Sequence, residues 1–162
     1  MENKYYLDTS IWMDVYEDRR GYNNEPLGDY GLKFLALIQA KKFKLIITDL
    51  IIKELQNYYS VAEINGMMKP FEQIIVKIIG TKKQGDEAIK IANERKLPYG
   101  DVLHSILARD HKLILVTRDK HFKELQDISK SYKPEELIWV FCKLLQKLLL
   151  LLFHILLQLS SF

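Results

Sequence analysis

Short apolar runs alternating with stretches of helical periodicity constrain this chain more than any other feature. Tyr5-Tyr6-Leu7, Lys44 to Ile47, Ile74 to Ile79 and Leu113 to Thr117 read as strands, each short and rich in β-branched or aromatic residues. Between them, Asp29 to Ala40 places Leu32, Leu35, Ala36 and Ile38 at helical spacing, and Gln84 to Lys96 turns Ala88, Ile91 and Ala92 to one side. Thr48 is positioned to cap a helix from Asp49 through about Ala62 that breaks before Gly66, and Pro98 opens a helix carrying Val102, Leu103, Ile106 and Leu107. Thr9 or Ser10 can cap the helix suggested by Ile11, Trp12, Val15 and Tyr16, and residues 20 to 28 read as a loop. Strands alternating with helices predict an α/β domain whose central sheet is mainly parallel.

Four carboxylates stand at the edges of these elements: Asp8, Glu54, Asp101 and Asp119. Asp8 follows the first strand and Asp119 the fourth, Glu54 falls in the second turn of the helix after the second strand, and Asp101 lies early in the helix before the fourth. In parallel sheets ligands bind beyond the carboxyl ends of the strands, so all four are expected at one end of the sheet. Carboxylates gathered there repel one another and call for protons or a cation. A hard divalent ion, Mg²⁺ or Mn²⁺, answers that need and points to phosphodiester chemistry. No cysteines or suitably spaced histidines support zinc, and His104 is expected in the core or behind the carboxylates.

The segments carrying these acids resemble the motifs of the PIN domain family, which includes the VapC-type toxin ribonucleases. Leu7-Asp8-Thr9-Ser10 is similar to the opening motif, Thr48 to Leu55 to the second, and Gly100 to Ala108 to the third. Thr117-Arg118-Asp119 followed by Phe122 is similar to the fourth. The resemblance spans residues 4 to 138 and implies a three-layer α/β/α sandwich that hydrolyses RNA with one or two divalent ions. By the same resemblance Asp8, Asp101 and Asp119 are metal ligands, and Glu54 is a ligand or acts through a water on the ion. Ser10 and Thr117 hold the carboxylates in place. An antitoxin protein is the partner such a toxin would have. A housekeeping RNA-processing nuclease and an inactive PIN-fold binding module are the alternatives.

The net charge of +3 over 162 residues is mild, but withdrawing four acids into a site leaves a more cationic surface. Arg118 and Lys120, in a basic cluster with His121 and Lys123, are candidates for contact with an RNA backbone. Trp12, Tyr58 and Tyr59 are expected to pack rather than stack on bases. The one cysteine, Cys142, excludes an internal disulfide and is expected to be buried among its apolar neighbours. With no secretion signal in the first residues, cytoplasmic residence is expected.

From residue 139 to 162 the chain becomes Leu-rich and predicts an apolar C-terminal helix appended to a nuclease-like unit of residues 1 to 138. Lys143, Gln146 and Lys147 cut its apolar run to about 12 residues, against the roughly 20 a membrane span needs. Lys143, Lys147, His154, Gln158 and Ser161 would form a narrow polar stripe on it, leaving a broad apolar face for packing or for a homo-oligomer.

Overall fold

A computed structural model of the chain describes the backbone of residues 3–159 and the side chains of residues 3–152. Five strands, β1 (Lys4–Leu7), β2 (Lys44–Thr48), β3 (Ile75–Ile78), β4 (Ile114–Val116) and β5 (Ser131–Tyr132), form one sheet in the order β3-β2-β1-β4-β5. Every pairing is parallel. The predicted α/β class with a parallel sheet therefore stands, with β5 as a strand too short to carry a pattern in the sequence.

Helices cover both faces, because successive side chains of β1 point to opposite sides. Tyr5 meets Phe34 edge-on in α2 (Leu27–Ala40), with ring centroids 5.2 Å apart. Tyr6, one residue later, faces His104 in α6 (Tyr99–His111) at 5.4 Å. On the first face α1 (Thr9–Tyr16) packs on α2, and α2 on α7 (Pro134–Leu159). On the second, α6 packs on α5 (Lys82–Arg95). The buried core is continuous through Tyr5, Tyr6, Leu7, Phe34, Leu45, Ile46, Ile106 and Leu115.

Several local expectations shift. Helix α1 begins at Thr9 with Asp8 in the cap position, so neither Thr9 nor Ser10 caps it. Thr48 does cap its helix, accepting from the Ile51 amide, but α3 (Asp49–Leu55) ends after two turns. A separate α4 (Val61–Met68) then starts at a capping box between Ser60 and Glu63, with Gly66 inside it. That reciprocal pair satisfies two amide donors at once and makes a second nucleation point cheaper than continuing the first helix. In α2 the inward residues are Gly31, Phe34, Leu35 and Ile38, whereas Leu32 is half exposed and Ala36 faces solvent.

The α7 helix runs unbroken through residue 139. Phe141 stacks on Phe43 with centroids 5.9 Å apart, and packing against the domain ends close by. Leu144, Leu145 and Leu148 to Leu152 are exposed, as is Cys142, which corrects the expected burial of its thiol. Ile138 and Phe141 on the same helix pack against the core, whereas Cys142 itself stays exposed. Residues His154, Gln158 and Ser161 of the expected polar stripe lie outside the described side chains. Among the described residues, no helix is long and apolar enough to cross a membrane.

Candidate metal centre

The strand order reverses between β1 and β4, and the crevice at that switch point holds the acidic residues. Leu7 pairs with Val116, so the next residues, Asp8 and Thr117, leave the sheet side by side. The Asp8 amide donates to the Val116 carbonyl at 2.9 Å. The Thr117 and Ser10 hydroxyls both donate to Asp8 Oδ2, at 2.9 and 2.7 Å. These two bonds fix the carboxylate and leave Oδ1 turned toward His104, 3.6 Å from its Nε2.

Glu54 reaches the same crevice from α3. Its Oε2 accepts from the Thr9 hydroxyl in a short hydrogen bond and lies 3.0 Å from His104 Nε2. His104 is fully buried, and its Nδ1 is 2.6 Å from the Tyr6 hydroxyl, which in turn is 2.9 Å from Thr48 Oγ1. One consistent set of directions runs from the Ile51 amide to Thr48, from Thr48 to Tyr6, from Tyr6 to Nδ1, and from Nε2 to Glu54. The sheet thus orients Glu54 through a histidine. Gly100 allows the approach: a Cβ there would stand 2.7 Å from Glu54 Oε1.

Asp101 and Asp119 form the other half. Asp119 caps a 3₁₀ turn over Lys120–Leu125, its Oδ1 accepting from the His121 amide at 2.9 Å. The turn folds the His121 ring back so that Nδ1 lies 3.0 Å from Asp119 Oδ1 and 3.0 Å from Asp101 Oδ2. Two trios result, Asp8 with Glu54 and His104, and Asp101 with Asp119 and His121, each with its ligand atoms within 4.8 Å of one another.

The electrostatics bear the mark of crowded anions. Burial, then the charges of Asp119 and Asp8, push Asp101 up from 3.8 to about 6, against the opposing pull of His121 and His104. For Glu54 burial acts upward, but the hydrogen bond and charge of His104 and the Thr9 hydroxyl outweigh it and leave the group below the ordinary range. His104 shows the converse: burial acts downward, yet Glu54, Asp8 and Asp101 raise it. The ion pairs of these four carboxylates among the described residues are to histidines, with no lysine or arginine among them within 4.0 Å. A hard divalent cation fits this donor set.

The structure thus brings together all four expected acids and both expected hydroxyls. Two expectations change. Arg118 lines a groove beside Asp119 and Lys120, but its side chain is only 13% exposed and pairs with Asp14 at 3.2 Å and Glu135 at 2.7 Å, tying α1 to α7. A guanidinium on the strand side of the turn points into the domain, whereas Lys120 and Lys123 on the 3₁₀ turn remain in solvent. With Lys133 they line the same groove, of about 240 Å³, which has Asp119 in its wall. Trp12 is buried and Tyr59 packs on Tyr16 as expected, but Tyr58 is 67% exposed. Thr9, Tyr6 and His121 were not legible as members of the site. The one available signal was the position of His121 two residues after Asp119, inside what reads as a basic cluster.

A parallel α/β sheet with an acidic, cation-fitting crevice at its switch point defines the class. The chain belongs to the PIN domain family, whose model matches residues 5–128. Among solved structures it is similar to PAE2754 from Pyrobaculum aerophilum, with 20% identity and a TM-score of 0.53, covering 87% of this chain and 90% of that one. It is also similar to VapBC2 from Rickettsia felis bound to a DNA fragment from its promoter, with 20% identity and a TM-score of 0.57, covering 80% and 98%. A toxin-antitoxin complex from Klebsiella pneumoniae matches with 18% identity and a TM-score of 0.57, covering 80% and 97%. A sequence comparison with curated proteins finds no match.

Proposed function

We propose that this protein is a divalent-metal-dependent endoribonuclease and the toxin of a toxin-antitoxin pair. The observation that carries the reading is the convergence of Asp8, Glu54, Asp101 and Asp119 at the switch point with, among the described residues, only histidines as ion-pair partners. A binding module has no need to hold these repelling groups together, whereas metal-assisted hydrolysis of a phosphodiester uses them to bind the ion. Asp8, Asp101 and Asp119 would hold Mg²⁺ or Mn²⁺, with Glu54 as a further ligand or as an acceptor of a proton from water. When bound, such an ion supplies positive charge to the phosphate and makes water easier to deprotonate. The protein's own part is positional. Ser10 and Thr117 aim Asp8, Thr9 and His104 aim Glu54, and the capped turn aims Asp119.

A labelled pool of single-stranded RNA incubated with Mn²⁺ or Mg²⁺ tests this reading. Cutting is expected with metal, and neither with chelator nor in an Asp8→Asn/Asp101→Asn variant. Cutting that persists in the variant would locate the activity elsewhere. Lys120 and Lys123 are the phosphate contacts we favour in place of Arg118. Changing both to Ala should weaken RNA binding and reduce the salt slope of log K by about 1.4, at roughly 0.7 per contact on a single strand. An unchanged slope would remove the groove from the binding path.

Two neighbours described as toxin-antitoxin or VapBC assemblies support a protein partner of the antitoxin kind. Exposed leucines from Leu144 to Leu152 support a homo-oligomer through residues 139 to 162, the unit we set apart from residues 1 to 138. Cytoplasmic residence is the location that goes with this reading. Growth arrest on induction, relieved by Asp101→Asn, separates a toxin from a housekeeping RNA-processing enzyme.

A further inference from the structure

The geometry points to His121 as a direct metal ligand, through Nδ1, that biases the Asp101/Asp119 side of the centre toward Mn²⁺ over Mg²⁺. This rests on the reading that those carboxylates hold a divalent ion. Nδ1 stands 3.0 Å from Asp101 Oδ2 and 3.0 Å from Asp119 Oδ1. Adjacent ligands on an octahedral ion with bonds of about 2.1 Å are separated by about 3 Å, so the two edges already have the spacing of a coordination face. In the metal-free protein a proton on Nδ1 bridges the nitrogen to the two carboxylates, and a metal ion would take that proton's place between the same three atoms.

The backbone fixes the ring's placement. The same Asp119 oxygen that faces Nδ1 also accepts from the His121 amide, so ligand and turn are one unit. His104 differs: both of its ring nitrogens are engaged, by Tyr6 and by Glu54, and it is fully enclosed. The His121 side chain is 36% exposed, and the hydrogen bonds and ion pairs of its ring among the described residues are made through Nδ1 alone. Imidazole is a poor donor for Mg²⁺, which favours oxygen, and a better one for the first-row transition ions. An oxygen-only centre would discriminate less between the two metals.

The test uses the full-length protein stripped of metal with chelator. Mn²⁺ binding is followed by the EPR signal of the free ion, Mg²⁺ binding by competition, and nitrogen coordination by pulsed EPR of bound Mn²⁺. Wild type is expected to prefer Mn²⁺ and to show coupling to a ring nitrogen. His121→Ala and His121→Gln should lose that coupling and about tenfold in Mn²⁺ affinity, with Mg²⁺ affinity little changed. Circular dichroism verifies that both variants are folded. Mn²⁺ binding that depends on Asp101 but is unaltered in both His121 variants would overturn the assignment and leave the metal centre standing. Absence of Mn²⁺ binding by wild type would overturn both.

Discussion

Asp101→Asn is expected to abolish RNA cleavage, with a loss on the order of a hundred- to a thousandfold, and at the same time to stabilise the metal-free protein. The loss is of the size seen when one preorganised electrostatic group is removed from a reaction centre. The gain follows from the sign of the pKa change. Asp101 is raised from 3.8 to about 6, so the folded protein holds its proton more tightly than the unfolded chain does. Ionisation therefore opposes folding in full above pH 6, and that opposition fades to nothing below about pH 4. The upper bound at pH 7.5 is about 3 kcal/mol, a rise of several degrees in melting temperature for a chain of this length. Thermal unfolding of wild type and variant in chelator, at pH 7.5 and at pH 4, checks it. A variant less stable than wild type at pH 7.5 would mean that the carboxylates are already neutralised within the protein.

Removal of the Arg118 guanidinium should be among the most damaging changes outside the acidic set. Its partners Asp14 and Glu135 are 7% and 32% exposed, and Arg118→Ala leaves the first of them buried without its main counter-charge. Breaking one side of a buried pair costs about 3–5 kcal/mol, on the order of 10 °C in melting temperature here. Burial already raises the Asp14 pKa despite Arg118 and Arg19. Without Arg118 it rises further, so the deficit should be largest near pH 8 and shrink on acidification as Asp14 takes up a proton. Calorimetry across that range reads the effect. A loss under about 1 kcal/mol at pH 8 would class the pair with solvent-screened surface bridges. The guanidinium also lies 5.9 Å from the Tyr30 ring, so Arg118→Lys should recover part of the stability but not all.

The two substitutions separate what the acidic centre and its frame do. Asp101 carries a cost that only a bound cation or a proton removes, the expected signature of a site selected for chemistry over stability. Arg118 carries the reverse: it contributes cohesion by joining the first helix, the fourth-strand turn and the last helix just behind the crevice. Neighbouring positions in sequence, Arg118 and Asp119 point in opposite directions because an extended backbone alternates its side chains.

Read from the sequence alone, the order of strands and helices and the four acids at their edges were legible because both depend on local chemistry. Periodicity marks the elements, and a carboxylate at the end of an apolar run marks an edge. The parallel sheet and the shared end of the sheet followed from that order. What tertiary structure alone decided was direction and partnership. Arg118 turned inward to Asp14, His121 turned onto Asp101 and Asp119, and Tyr6 reached through His104 to Glu54 in two steps of 98 and 50 positions of chain. Such pairings leave no periodic trace. The Leu-rich end shows the same division: its helicity is a local property, but whether Cys142 and the leucines beyond it are covered depends on whether another surface lies there, and the domain ends its packing near Phe141.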